Sequence, residues 1–222
     1  MNKALIYQDW GLKEYNEAWQ EQEKLFTATL ALKQKGEPTS NYLVFCEHPH
    51  VYTLGKSGDE HNLLINYIQL QAKNASFVQT NRGGDITYHG PGQIVGYPII
   101  DLENFGIGLR RYIELLEESI IEFLALYGLK GDRLAGATGV WLDSDTPKAR
   151  KICAIGVRSS RYVTMHGFAL NISTDLSYFT HINPCGFTDK GVTSLTNETG
   201  TVIDFERAKE QLRKIIENKF TS

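Results

Sequence analysis

Apolar residues return with helical spacing in three stretches of the chain. Across residues 12–35, Tyr15, Ala18, Trp19, Leu25, Phe26 and Leu32 fall on one side, and Gly36 with Pro38 behind it supplies the stop. From Leu109 the stripe is cleaner. Tyr112, Ile113, Leu116, Ile120, Phe123, Leu124 and Tyr127 share a face that Gly128 ends, while Arg110, Arg111, Glu114, Glu117, Glu118 and Glu122 turn toward water. The third stretch starts at Asp204, an N-cap residue, and aligns Phe205, Ala208, Leu212, Ile215 and Ile216.

Between these helices lie short β-like runs at residues 42–46, 51–54, 77–80, 85–88, 94–102, 139–142, 151–158 and 161–171. Residues 140–142 and 151–157 flank the turn composition Asp143-Ser144-Asp145-Thr146-Pro147, and 151–158 and 161–171 are separated by Ser159-Ser160. Hairpin-like successions of strands with few helices predict an α+β fold: a central mixed, mostly antiparallel sheet with helices packed outside. No linker, repeat or low-complexity stretch divides the chain, so residues 1–222 are expected to form a single domain.

Composition narrows the function. At 222 residues the chain can bury roughly 70% of its unfolded surface without a disulfide or metal staple. A hydrophobic share of 41% with 22% charged residues excludes disorder, collagen-like repeats and coiled coil. Lys and Arg number 23 against 26 Asp and Glu, a net charge of -3, so nucleic acid is not an expected partner. Cys46, Cys153 and Cys185 make neither a disulfide framework nor a zinc spacing. His48, His50, His61 and His181 have no metal-ligand spacing, and no metal is expected. Free thiols, no signal peptide and no long apolar run predict a cytoplasmic protein without a membrane partner.

Candidate chemistry concentrates in four places. Arg82-Gly83-Gly84-Asp85-Ile86-Thr87-Tyr88-His89-Gly90-Pro91-Gly92-Gln93 lets the backbone approach a ligand closely, and matches neither nucleotide-binding fingerprint. His89 and His166 either meet a substrate or only hydrogen-bond within the fold. Cys185, in Asn183-Pro184-Cys185-Gly186-Phe187, sits in a turn, where a thiol is exposed and backbone N–H groups are free. Cys46 ends an apolar run and reads as a buried small residue. Lys151 opens the apolar strand Lys151-Ile152-Cys153-Ala154-Ile155-Gly156-Val157; two residues apart, Lys151 and Cys153 share a side of a regular strand. Lys151 either reaches water or enters a pocket, where it lowers a thiol's pKa or serves as a base.

Taken together, these motifs are familiar. The Arg82–Gln93 run with Gly96-Tyr97-Pro98, Arg150-Lys151-Ile152 through Gly156, His166-Gly167-Phe168-Ala169-Leu170-Asn171 and Pro184-Cys185-Gly186 resemble, in order and spacing, the signatures of lipoyl(octanoyl) transferases. The resemblance is strongest over residues 40–200. It implies a biotin/lipoate protein ligase-like fold and transfer of an octanoyl group from acyl carrier protein to a lysine of a lipoyl-carrier domain. The implied acceptors are lipoyl domains of 2-oxoacid dehydrogenase complexes and the glycine cleavage H protein. Carried over by position, Cys185 is the acyl-accepting nucleophile and Lys151 its partner. Arg82, Gly83, Gly84, Asp85, Ile86, Thr87, Tyr88 and His89 form the substrate loop. Ala154, Ile155 and Gly156, with Gly167, Phe168 and Ala169, wall the pocket. Cys153 departs from the pattern by adding a second thiol near Lys151.

That reaction exchanges one thioester for another and ends in a downhill amide, so no ATP or other cofactor is expected. A free cysteine is only a few per cent thiolate at neutral pH, and an ammonium nearby raises that share. Lys151 as fixed charge and Lys151 as base remain two open descriptions. Backbone N–H groups around Gly83-Gly84 or near Gly186 are candidate oxyanion donors. Gly156, Gly167 and Ala169 are expected to leave room for the acyl chain, to serve close strand packing, or both. Arg133, Lys148, Arg150, Arg158 and Arg161 are candidates for a basic rim facing acidic carriers. The competing readings are an ATP-dependent lipoate or biotin ligase, an octanoyl amidotransferase between lipoyl proteins, and a non-catalytic acyl-binding module.

Overall fold

The run Val163–Asn171 is buried at all 9 of its positions, which fixes it as the centre of a sheet covered on both faces. The structure is a computed structural model that describes residues 2–183 and 190–221. Strand β1 (Leu5–Leu12), helix α1 (Tyr15–Gln34) and β2 (Asn41–Glu47) come first. They are followed by β3 (Val51–Leu54), the short α2 (Tyr67–Ala72), β4 (Ser76–Gln79), β5 (Ile86–His89) and β6 (Gln93–Ile99). Helix α3 (Leu109–Ala125) precedes β7 (Asp132–Leu134), β8 (Ala137–Leu142), β9 (Arg150–Ser160) and β10 (Val163–Asn171). The described chain ends with β11 (Gly191–Val192), α4 (Leu195–Thr199) and α5 (Phe205–Thr221).

The main sheet has the order β1-β2-β6-β10-β9-β8-β7, with β11 alongside β9. The α1 crossover makes β1 and β2 parallel, and β11 also pairs parallel with β9; the other pairings of this sheet are antiparallel. A second sheet, β4-β3-β5, carries the Arg82–Asp85 loop at its end. The α+β expectation with a mixed, mostly antiparallel sheet therefore holds. Among the described residues no helix is long and apolar enough to cross a membrane.

Alternation along the strands sorts the two faces. Phe45, Ile94, Phe168, Leu170, Ile155 and Val140 meet Leu116, Ile120 and Phe123 of α3 and Leu212 and Ile216 of α5 in the largest apolar cluster. On the other face Val44, Cys46, Val95, Tyr97 and Ala169 meet Ala18 of α1, and Ile99, Val163 and Met165 meet Phe26. Asp204 caps α5 through Oδ1, which accepts from the Arg207 N–H at 3.0 Å.

Several boundaries differ from the sequence reading. The β9–β10 turn is Arg161-Tyr162, not Ser159-Ser160: both take positive φ, +47° and +65°, and Ser160 pairs with Val163. Strand β6 stops at Ile99, because Asp101 caps a short helical turn by accepting from the Glu103 N–H. Glu117, placed toward water by the helical period, is buried instead. Its Oε1 accepts from Gly139 N–H at 3.1 Å and its Oε2 from Arg133 Nε at 2.6 Å, so α3 is tied to β8 by a hydrogen bond and to β7 by a paired charge. Strands β1, β7 and β11 and helices α2 and α4 were not anticipated. Most are too short for a period to show, and β1 is a half-exposed edge.

Candidate active site

The Arg82–His89 loop is held by its own arginine. Arg82 is buried, and its Nη2 donates to Thr53 O at 2.7 Å and Thr53 Oγ1 at 2.9 Å, while Nη1 donates to Gly83 O at 3.0 Å. Gly83 N–H donates to Val157 O at 2.9 Å, which lays the loop on β9. Gly83 is therefore not available as an oxyanion donor. The Gly84 N–H makes no hydrogen bond among the described residues, and Gly84 sits at φ +86°, where a side chain is strained. Asp85 turns its Oδ2 to Asn62 Nδ2, at 2.7 Å.

From Arg82 a buried relay runs through His89 to β10. Gln93 Nε2 donates to Tyr88 O and to Asn171 Oδ1, at 3.1 and 2.9 Å, so Gln93 Oε1 must accept, and it accepts from His89 Nδ1 at 2.9 Å. His89 Nε2 then accepts from Thr53 Oγ1 at 3.2 Å. Asn171 Nδ2 donates onward to Thr193 O, at 3.0 Å, and Thr193 N–H donates to Lys151 O at 2.9 Å. Burial, then His48 and Arg82, holds the His89 pKa well below its ordinary 6.5. With both ring nitrogens engaged and Tyr15 stacked on it at 5.7 Å, His89 is a neutral strut that locks the loop.

His166 is equally buried and lies at φ +59°, in the left-handed region. Its N–H donates to Gln22 Oε1 of α1 at 3.0 Å, and its Nε2 donates to Asn81 Oδ1 at 2.6 Å. Burial first, then Arg82 and Arg158, pushes its pKa down to about 3. His48 is also neutral, pushed down to about 4 by burial; its Nδ1 donates to Lys13 O at 2.6 Å and its Nε2 accepts from Tyr97 OH at 2.7 Å.

Lys151 reaches the site through a break in its strand. Val140 pairs with Cys153 but Trp141 pairs with Lys151, so β9 carries one extra residue against β8. Such a bulge re-aims the side chain beside it. Ile152 and Cys153 both join the main core, whereas Lys151 lines the cavity with its Nζ 4.7 Å from the Trp141 ring centroid. The expectation that Lys151 and Cys153 share a side is overturned by this bulge. Cys153 is fully buried, does not line the cavity, and burial pushes its thiol pKa far up. Cys46 is likewise a buried thiol pushed up by burial.

These residues surround one cavity of about 460 Å³. Arg82, Gly83, Gly84, Asp85, Ile86, Thr87 and His89 line it, as do Lys151, Ala154, Ile155, Gly156, Gly167, Phe168 and Ala169. Tyr88 does not; its ring stacks on Tyr178 at 4.8 Å and its OH meets His50 Nδ1 at 2.7 Å, in the core of the small sheet. Two glycines give their space to protein. A Cβ on Gly167 would stand 2.1 Å from Gly96 O, and one on Gly156 2.8 Å from Gly83 O. Close packing is thus a role of both, and both also line the cavity; Ala154 and Ala169, paired across β9 and β10, form the small-residue floor. Trp141 and Thr138 of β8 and Val192 of β11 also line the cavity and were missed. The cross-strand pairing of Trp141 with Lys151 is the signal that finds Trp141, and it depends on the bulge. Cys185 lies outside the described residues.

The basic rim is mostly neutralised. Arg133 pairs with Glu117 and Glu118, Arg150 with Asp143 and Glu198, and Arg158 with Glu23. Lys148 and Arg161 are exposed and make no ion pair among the described residues.

Residues 14–217 match the family model of the Lipoyl protein ligase A/B catalytic domain. The chain is 60% identical over 214 residues to an octanoyltransferase of Parabacteroides distasonis, covering 96% of this chain and 97% of that protein. It is 58% identical over 207 residues to an octanoyltransferase of Bacteroides fragilis, covering 93% and 94%. In three dimensions it is similar to a bi-partite lipoate protein ligase from Thermoplasma acidophilum, with a TM-score of 0.69 over 97% of this chain and 82% of that one, at 12% identity.

Proposed function

The chain belongs to the Lipoyl protein ligase A/B catalytic-domain family and, within it, to the octanoyltransferases, and from that premise we propose how it works. Residues 1–222 act as one catalytic domain in the cytoplasm that carries octanoyl groups from acyl carrier protein to lipoyl-carrier proteins. The acceptors are lipoyl domains of 2-oxoacid dehydrogenase complexes and the glycine cleavage H protein. The observation that carries this reading is the single cavity in which the Arg82–His89 loop, Lys151 and the Ala154–Ala169 floor converge.

The reaction has two acyl transfers. The Cys185 thiolate attacks the thioester carbonyl, a new C–S bond forms, and the C–S bond to the carrier's pantetheine breaks; that thiolate leaves and takes up a proton. The acceptor lysine, as a neutral amine, then attacks the acyl-enzyme, a C–N bond forms, and Cys185 leaves as thiolate while the nitrogen gives up one proton. Lys151 stabilises the thiolate. The Gly84 N–H is the available donor for the oxyanion of either tetrahedral intermediate. Burying about six methylenes contributes roughly 5 kcal/mol to holding the octanoyl chain.

Intact-protein mass after mixing the enzyme with octanoyl-acyl carrier protein, without ATP, tests this. The wild type gains one octanoyl group and passes it to an added lipoyl domain, Cys185→Ala gains none, and Lys151→Ala acylates about a hundredfold more slowly. Turnover that appears only with ATP and free octanoate would move the chain to the ligases. An adduct kept in Cys185→Ala and lost in Cys153→Ala would change the nucleophile.

A further inference from the structure

Trp141 belongs to none of the four motifs, yet it is the side chain against which Lys151 rests. The two are register partners across β8 and β9, directly beside the bulge. The indole is 2% exposed; its Nε1 donates to Ala137 O at 3.0 Å, and Leu134, Ala137 and Ala149 pack around it. Its plane is therefore set before any substrate arrives. Lys151 Nζ stands 4.7 Å from the ring centroid. At that distance the negative face of the ring attracts an ammonium and does nothing comparable for a neutral amine.

We infer that Trp141 is a positioning residue for the transfer reaction: its indole face holds the Lys151 Nζ in the cavity as an ammonium. Lys151 then acts as a fixed positive charge, and the thiol's proton goes to water rather than to Lys151. This rests on the reading of Lys151 as the partner of Cys185. The bulge and the platform work together, because the bulge turns Lys151 to the side on which Trp141 waits.

Other charged groups share this neighbourhood. Arg150 precedes Lys151 on β9 and is paired with Glu198 and Asp143. Cys153, on the opposite face, feels the Lys151 charge and that of Glu117 from α3. Across the cavity stand Arg82 and Asp85, and Lys190 lines it ahead of β11. All of these charges are kept in the variants, which differ from the wild type only at residue 141.

The test follows the Lys151 ammonium directly by NMR titration in the whole protein, in the wild type, Trp141→Phe and Trp141→Leu. Single-turnover acylation by octanoyl-acyl carrier protein is measured against pH in parallel. In Trp141→Leu the Lys151 midpoint falls by about one pH unit, and the alkaline limb of acylation moves down with it. Acylation at neutral pH drops roughly tenfold with KM changed less than about twofold, and Trp141→Phe restores most of the loss. Should Trp141→Leu fail to fold, Trp141→Phe carries the test with a smaller downward shift. A midpoint that stays at the wild-type value in a folded variant overturns the inference, whatever the acylation rate. Absence of any adduct on wild-type Cys185 overturns the acyl-enzyme reading instead, and leaves the midpoint comparison to decide on Trp141.

Discussion

The two faces of the main sheet are built from alternate residues of the same strands, yet they differ in kind. Under α3 and α5 the strands present Phe, Ile, Leu and Val, with Cys153, to the largest apolar cluster. Under α1 lie His48, His89 and His166, each buried and each touching α1 or its ring partners: Tyr15 meets His48 and His89, and Trp19 and Gln22 meet His166. Leu170 and Ala169 are neighbours in β10 and belong to opposite worlds. One face supplies the stability of a packed core; the other spends packing on fixed polar groups and a cavity.

Acid should separate the faces most strongly. His48 titrates at about 4, His166 at about 3 and His89 well below 6.5, all chiefly through burial. The unfolded chain binds these protons near pH 6.5, while the folded chain refuses them until far lower pH. Stability is therefore full above about 6.5 and falls as pH drops toward the folded values. Roughly 2 kcal/mol is lost for each of His48 and His166 between pH 6.5 and about 4.5, and His89 adds a loss of the same sign. Urea melts over this range in the wild type and His166→Gln should show the loss reduced by about 2 kcal/mol in the variant. Equal slopes would mean that His166 is not held neutral by the fold.

On the other face, Leu170→Ala should cost about 2–5 kcal/mol, because Leu170 is fully buried among side chains that cannot close the gap. The rate of octanoyl transfer per folded molecule should stay within about twofold of wild type. Denaturant melts and the transfer rate, measured on one preparation, check both halves. A tenfold drop in specific rate would show that the two faces are not separable.

What the sequence announces follows the same division. The packed face is legible because its residues obey simple patterns: the stripe on α3, the short apolar run in β2, the cap at Asp204. The site is legible as motifs, since the Arg82–His89 loop, Lys151 and the Gly167–Ala169 strand do meet at one cavity. What alternation cannot foresee is where it breaks. Lys151 would fall with Cys153 in a regular strand, and the bulge opposite Trp141 turns it away. His166 shares parity with Phe168 and Leu170, yet its ring lies by Trp19 and Asn81, because φ is +59° at that residue. The side chains that escape a period-2 reading are those delivered to the site. Glu117 fails for another reason: its helical position is exposed by period, and Arg133 and Gly139 bring a partner to it from β7 and β8.

A smaller effect sharpens the boundary between floor and loop. Gly156→Ala would bring its Cβ 2.8 Å from Gly83 O and 3.3 Å from Arg82 Nη1. Neither is a freely moving end, since Gly83 is bonded to Val157 and Arg82 to Thr53. The loop must shift, at a cost of about 1–3 kcal/mol, and transfer should slow about tenfold through a raised KM for octanoyl-acyl carrier protein. Steady-state kinetics beside a thermal melt distinguish loop displacement from global loss. A wild-type KM would mean that the loop does not define the substrate's seat.

The smallest effect concerns how carriers find the hollow face. Arg158 and Arg161 both stand at the far end of the β9–β10 hairpin, and only their surroundings separate them. Arg158 Nη1 is 2.8 Å from Glu23 Oε1, and its guanidinium lies 5.0 Å from the Phe26 ring centroid, so its charge is already used to fasten α1 to the sheet. Arg161 is exposed in the turn and makes no ion pair among the described residues. A charge that is already neutralised steers little, and one in open solvent steers only until salt screens it. Arg161→Glu should therefore slow transfer from octanoyl-acyl carrier protein about two- to threefold at low salt, leave transfer from a small octanoyl thioester unchanged, and lose the difference at about 0.5 M salt. Arg158→Glu should instead lower the melting temperature, because it sets two carboxylates against each other where α1 meets β9. Equal slowing of both donors by Arg161→Glu would remove the steering role, and the carrier would then be recognised by the cavity mouth alone.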